Sequence, residues 1–235
     1  MKKLVLMMVV LFCGVMLVSA QGQDKAGAPA AQPEQKPLDP WTFFQLGFFP
    51  GIPESTQNSN VCGLKLGFPM VDGYGRVNGV EPSLFYSGTE YVKGVQATLV
   101  GPSIGQEILG VQTACVGPTI AKKVHGLQLS GMHNVADEMT GVELGVANIA
   151  KSIMGCQISA VNVSEKVAGC QISAVNVSGK VIGFQASAVN LARDELLGFQ
   201  LGVVNYSRKS GCQLGLFNII EDGTLPFMII FNIQF

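Results

Sequence analysis

Side chains able to do acid–base or nucleophilic chemistry are few in this sequence. Its two histidines are His125 and His133. A hydrolytic centre needs a base held against a nucleophile by a third group. Ser130 lies near His133, too slight a signal for such a centre, and both histidines read as surface side chains. Five of the six cysteines, Cys62, Cys115, Cys156, Cys170 and Cys212, lie beyond the N-terminal apolar run. An odd number of this kind is not a disulfide framework, and no CxxC pair offers metal-ligand spacing. Cys156, Cys170 and Cys212 stand where comparable segments place Phe, Val or Leu, so they read as small apolar fillers. The stretch "GYGRVNG" (73–79) has glycines like those of a phosphate loop but not the strand-to-helix context, and it reads as a turn. The sequence therefore points to no catalytic residue, no cofactor and no metal.

One set of polar side chains is regular. Lys65 and Glu81 are followed by Gln96, Gln112, Gln128, Glu143, Gln157, Gln171, Gln185, Gln200 and Gln213. Each stands two residues after a glycine, and each is long and polar. Such a row has two uses. The carboxamides can satisfy one another between strands, or they can line a neutral polar lumen that passes or binds small uncharged solutes. The nine residues from Gln96 to Gln213 are thus the candidate lumen-lining row.

The element that must position this row is a tandem unit, Gly-x-Gln-x-(Ser/Gly)-x-x-Asn. Its glycines fall at 63, 79, 94, 110, 126, 141, 155, 169, 183, 198 and 211, eleven units at spacings of 13 to 16. "GCQISAVNVS" occurs unchanged at 155 and again at 169. Within a unit, polar and apolar residues alternate with a period of two, which marks a strand. Cys156, Ile158 and Ala160 share one face; Gln171, Ser173 and Val175 share the other. Charges such as Lys122, Lys123, Glu165 and Lys166 read as joints between units, and Asn148, Asn162, Asn176, Asn190, Asn205 and Asn218 close units at a fixed offset. Because each Asn-x-Ser triplet at 162, 176 and 205 follows from this repeat, none is read as a glycosylation signal.

Two all-β architectures fit. The first, and the leading expectation, is an antiparallel up-and-down barrel of about 12–14 repeat strands. A membrane-spanning strand needs about 9–11 residues, close to the unit. The apolar parity would face lipid and the glutamine parity the interior. The alternating "FMIIFNIQF" at the C-terminus resembles the last strand of bacterial outer-membrane barrels, and "WTFFQLGFF" (41–49) would open the sheet. The second architecture is a β-solenoid, with equivalent residues stacked about 4.8 Å apart. Cys156 and Cys170 separate the two: they are neighbours in a solenoid. In the barrel, Cys156 faces about Ala174, and the pair does not readily cross-link.

The ends and the composition bear on location. Lys2 and Lys3, the apolar run Leu4–Val18 and the small residues before Gln21 form an export signal over 1–20. Cys13 is discarded with that signal. Residues 21–40, rich in Pro, Ala and Gln, read as a disordered spacer, leaving 41–235 as a single repeat-built domain. Charged residues make up 13 % of the chain, against about 25 % in ordinary soluble domains. The net charge of −1 gives no footprint for nucleic acid.

The units "GLQLSGMHN", "GVELGVANIA", "GCQISAVN", "GFQLGVVNYS" and "GCQLGLFN" resemble the Gly-x-Gln-x-Gly-x-x-Asn repeats of exported bacterial proteins of the leptospiral-type surface-repeat family. The resemblance covers about 94–220. It implies a cell-envelope or surface location and no catalytic activity, and it carries over no functional residue. The resulting expectation is a non-enzymatic outer-membrane or cell-surface barrel with a structural, pore or small-solute-binding role. Its partners would be outer-membrane lipid, the barrel-assembly machinery, and a small neutral solute or a host or surface ligand. The alternative is an exported solenoid serving as an adhesin or protein-interaction surface.

Overall fold

In the computed structural model the described residues are 39–234. The export signal at 1–20, the spacer up to residue 38 and Phe235 lie outside them. The described chain forms one twelve-stranded sheet whose strand order is the chain order. The strands are β1 (Asp39–Gly47), β2 (Ser59–Gly67), β3 (Met70–Ser83), β4 (Tyr86–Val100), β5 (Ser103–Val116) and β6 (Thr119–Ser130). They continue as β7 (His133–Leu144), β8 (Ala147–Ile158), β9 (Val161–Ile172), β10 (Val175–Ser207), β11 (Gly211–Ile220) and β12 (Phe227–Gln234). A single helical turn, α1 (Ser55–Asn58), lies between β1 and β2.

The pairing is parallel from β1 through β11, and only β11–β12 is antiparallel. This corrects the barrel expectation. The architecture is a parallel β-solenoid in which every unit makes one coil and lies in register on the last. Gly141 pairs with Gly155, and Gly155 with Gly169. β1 and β12 stand at opposite ends of the strand order instead of closing on each other. The eleven repeat glycines account for β2 to β11, because β10 runs through two coils, those of Gly183 and Gly198.

A coil of about fourteen residues closes because the strand bends twice without losing its ladder. The first bend is at the charged pair. In the β9 coil Asn162, Ser164 and Val167 are buried, while Glu165 and Lys166 both face out. Two consecutive outward residues break the period of two and turn a corner. Charges read as joints between strands therefore sit inside the strands, at that corner. The second bend is the repeat glycine itself. Gly169 has φ +142, and a Cβ there would lie 2.0 Å from the Gly155 carbonyl oxygen. Only glycine tolerates that backbone and that approach. After it, Gln171 again points inward. "GYGRVNG" lies within β3 and is not a turn, although the register slips between Gly73 and Arg76.

The apolar part of the interior is one narrow column. Val61, Val77, Val92, Ile108, Val124, Met139, Ile153, Val167, Val181 and Leu196 each lie two residues before a repeat glycine and are at most 2 % exposed. Apart from Val71, Val177 and Ile220, the other buried side chains among the described residues are small or polar.

The glycine corner supplies a direct test. Gly169→Ala should lower the denaturant midpoint of the protein, with backbone strain alone costing about 1–3 kcal/mol. The outward-facing change Ala168→Ser should shift stability by less than about 0.5 kcal/mol. Urea unfolding followed by circular dichroism checks both; equal midpoints for the two variants would remove the glycine from its structural role.

Candidate interaction surface

The structure brings the whole candidate row together. Gln96, Gln112, Gln128, Glu143, Gln157, Gln171, Gln185, Gln200 and Gln213 are all fully buried in one axial column. They pack against side chains of the facing segment and do not line an open lumen: Ser164 from that segment donates to Gln157 Oε1 at 2.8 Å. Along the column each amide donates back to the preceding rung. Gln112 Nε2 reaches Gln96 Oε1 at 3.0 Å, and Gln128 reaches Gln112 at 3.0 Å. The same bond joins Gln171 to Gln157 at 2.6 Å, Gln185 to Gln171 at 2.7 Å, and Gln213 to Gln200 at 2.9 Å.

A second ladder runs beside it. Asn134 donates to Asn148 Oδ1 at 2.7 Å, and the chain continues through Asn162, Asn176, Asn190 and Asn205 to Asn218. These asparagines are buried and also bond backbone carbonyls, as Asn162 does to Gln157 and Ile172. The expectation from the repeat puts the six from Asn148 to Asn218 at turns. Their fixed offset, as regular as that of the glutamines, was the signal of a second interior column.

Three rungs hold an ionisable side chain in place of glutamine. Lys65 is buried and donates to the carbonyls of Thr56 and Asp72 and to Thr89 Oγ1. Burial holds its pKa below the usual lysine range, with Glu81 and Asp72 opposing that shift. On the next rung, burial raises Glu81, while Lys65 and hydrogen bonds from Thr89 and Gln96 oppose the rise. Glu143 interrupts the middle of the ladder. Gln157 donates to its Oε2 at 2.6 Å, but Gln128 Oε1 and Glu143 Oε1 are both left without partners. Gln128 and Glu143 are register partners, and an ionised carboxyl has no proton to give. Desolvation accordingly pushes Glu143 up to about 7.

The remaining candidates for chemistry stay apart. His125 is exposed. His133 is part-buried, and desolvation lowers its pKa. Ser130 Oγ makes no hydrogen bond, so no Ser130–His133 pair exists. Cys156 and Cys170 lie side by side, their sulfurs 3.4 Å apart; the Cys156–Ala174 juxtaposition of the barrel does not occur.

With amides inside, apolar side chains are turned out. Counting from each repeat glycine between Gly94 and Gly211, the first and third following residues face outward and none is charged. They run Val95, Val111, Leu127, Val142, Cys156, Cys170, Phe184, Phe199, Cys212 and Ala97, Thr113, Leu129, Leu144, Ile158, Ile172, Ala186, Leu201, Leu214. Val146, Val203 and Leu216 extend this face at the bend beyond, 46–57 % exposed. Phe184 and Phe199 stack with ring centroids 5.9 Å apart. A shallow recess of about 310 Å³ opens where Gly131 and Gly145 replace larger side chains between Thr113, Leu129 and Leu144. In the coils of Gly110 to Gly198 the exposed charge gathers at the other corner, where Lys123–Glu138, Lys151–Asp137 and Lys180–Glu195 pair at 2.6–3.0 Å. No protein family, curated protein or solved structure matches this chain.

Glu143 gives a signed pH prediction. Its folded pKa of about 7 stands above the ordinary 4.5. Its contribution to stability is therefore complete below pH 4.5, declines as pH rises from there, and is lost above pH 7. The span is on the order of 3 kcal/mol. Glu143→Gln completes the ladder, so it should raise stability at pH 8 and flatten this part of the pH profile. Urea melts at pH 4.5, 6 and 8 would show it; a variant no more stable than wild type at pH 8 would contradict the ladder.

Proposed function

We propose that the protein is an exported, non-enzymatic β-solenoid of the bacterial cell surface whose work is protein–protein interaction. The observation that carries this reading is the uncharged apolar face on the outside of a coil whose interior is amide. Contiguous apolar patches beyond a few hundred Å² mark interaction sites. Nine rungs at about 4.8 Å make this one roughly 40 Å long. Two outward columns and the bend make it roughly 18 Å wide at about 3.3 Å per residue. That is roughly 700 Å² in plan, close to the ~800 Å² per partner of a stable interface.

The occupant we assign is a second copy of the chain. A face built of equal rungs is complementary to itself at the rung spacing, and two such faces pair about a two-fold axis as packed sheets do. Charge disfavours lipid as the occupant. Helices and patches that lie on anionic membranes carry an excess of Lys and Arg at the rim. Here the charged corner is a mixed-sign ladder of pairs, and the net charge is −1.

Sedimentation velocity of the exported chain should show a dimer at micromolar concentration. Leu201→Glu and Ile172→Glu place like charges across the two-fold contact and should give folded monomers with unchanged circular dichroism. A monomeric wild type would sink the assignment. So would a wild type that floats with phosphatidylglycerol–phosphatidylethanolamine vesicles while remaining unpaired.

A further inference from the structure

We infer that Cys156 and Cys170 form a modification site: a thiol pair that closes into a disulfide between adjacent coils of the solenoid. The bond lies within one chain, and its column forms the edge of the apolar face beside the glycine corner, so a monomeric variant presents the pair whatever covers that face.

The geometry follows from the repeat. Residues 155–164 and 169–178 are identical in sequence, and the coils stack in register, so Cys156 and Cys170 are direct Cα partners. Neighbouring parallel strands lie about 4.8 Å apart, inside the roughly 4.4–6.8 Å window of Cα separations that disulfides span. Both side chains leave the same face, both are part-exposed, and Cys156 points its S–H at Cys170 Sγ at 3.4 Å. The sulfurs need close only from 3.4 Å to the roughly 2.05 Å of a disulfide bond.

The other three described thiols have no such neighbour. Cys212 is the register partner of Phe199 and Cys62 that of Asn78, while Cys115 lies off this column, among the residues lining the recess. Among the described residues, then, the column contains a single adjacent pair. On one side of it stands Val142, on the other Phe184. The site takes a disulfide oxidant small enough to reach a flat, half-exposed rung.

The step balances as thiol–disulfide exchange. The Cys170 sulfur, deprotonated, attacks a low-molecular-weight disulfide RSSR; one RS⁻ leaves and a mixed disulfide remains on Cys170. Cys156 then loses its proton and attacks the Cys170 sulfur, expelling the second RS⁻. Two protein thiols are oxidised, one RSSR is reduced, and the two protons end on two RSH. Cys156 suits the second role. Its S–H already points at the Cys170 sulfur 3.4 Å away, in place to attack that sulfur once the mixed disulfide stands there, and burial and the neighbouring thiol raise its pKa. The product ties two coils across a sequence separation of 14 in mid-solenoid.

Oxidised glutathione is the probe. Incubation of the folded chain, followed by maleimide labelling and peptide mass analysis, should show Cys156 and Cys170 lost from labelling together. Their two peptides should be recovered as one linked species in the monomer, with Cys62, Cys115 and Cys212 absent from that linkage and either labelled or carrying a glutathione adduct. Cys156→Ser should trap the glutathione mixed disulfide on Cys170, which a merely buried thiol would not form. Cys212→Ser should leave the linked species unchanged, and the oxidised chain should melt higher than the reduced one. Persistent labelling of both thiols under full glutathione oxidation would overturn the proposal, as would linkage found only between chains. Repeating the measurement on Leu201→Glu separates it from dimerisation: the linked species should form there equally, and its absence would overturn the intrachain site.

Discussion

A carboxamide removed from water needs acceptors for its N–H groups and a donor for its oxygen, and in this chain both lie one coil away. Leaving such a group unsatisfied costs about 1–3 kcal/mol, and the glutamine and asparagine columns repeat the requirement along the solenoid. Slipping one coil by a single residue would set Gln171 against the backbone face beside Gln157 and break several bonds at once. Hydrophobic contact alone would not fix that register, because the apolar interior is one side chain wide. The polar ladders therefore set the alignment of the coils, and the valine column fills what they leave. The ladder also has a direction. Every glutamine donates toward the N-terminus, so the first rung must only accept, and the last must be left over. Glu81 is that acceptor, with Lys65 supplying the opposing charge, while Gln213 Oε1 is the unpartnered oxygen at the far end.

The same ladders explain the exterior. A strand whose inward positions are assigned to amides has its alternate positions left for apolar side chains, since the period of two allows no other placement. Leu129, Leu144, Ile158, Ile172 and Leu201 are exposed or half-exposed for that reason, not through failure to pack. Solubility then falls to the charged corner, where the break in alternation turns two residues outward. Salt bridges on such a surface stabilise little. Mixed signs along successive coils, as at Glu107, Lys123 and Glu138, nonetheless limit the self-repulsion that a column of like charges would create, and Lys180, stacked on Lys166, pairs with Glu195 on its other side.

Much of this was legible in the repeat. The glycine spacing marks each coil, the period of two marks strands, and the inward parity of Gln157 and Gln171 is the one observed. What misled was the assumption that a strand of ten residues is straight. Straight strands with an apolar outer parity of that length make a membrane wall, and the barrel followed. The two bends that make a coil instead were visible only as chemistry: glycine at a position where φ is positive, and consecutive polar residues such as Glu165 and Lys166 where one should have pointed in. The terminal "FMIIFNIQ" was misleading for a related reason. Its alternation is that of a strand with a single partner, β11, in antiparallel pairing. That strand ends the parallel stack and closes nothing. Asn134 and Thr119, which begin the asparagine column with a hydrogen bond of 2.5 Å, could not be recognised from the repeat, because their units are longer and their offset differs.

A solenoid of near-copies places each residue beside its counterpart, so its chemistry is organised in columns. Convergent catalysis needs unlike groups brought to one point: a nucleophile, a base and a donor. Stacked copies bring like groups together, which favours extended contact surfaces over reaction centres. Departures from uniformity are then the informative places. Where one rung differs from its neighbours, as Glu143 does, a buried group loses its donor and becomes sensitive to pH. Where two rungs are identical and the residue is reactive, as with Cys156 and Cys170, stacking itself creates a pair that neither unit holds alone. Duplication of a coil thus does more than lengthen the scaffold: for a cysteine at an outward position, one copy is a filler and two consecutive copies are a redox couple.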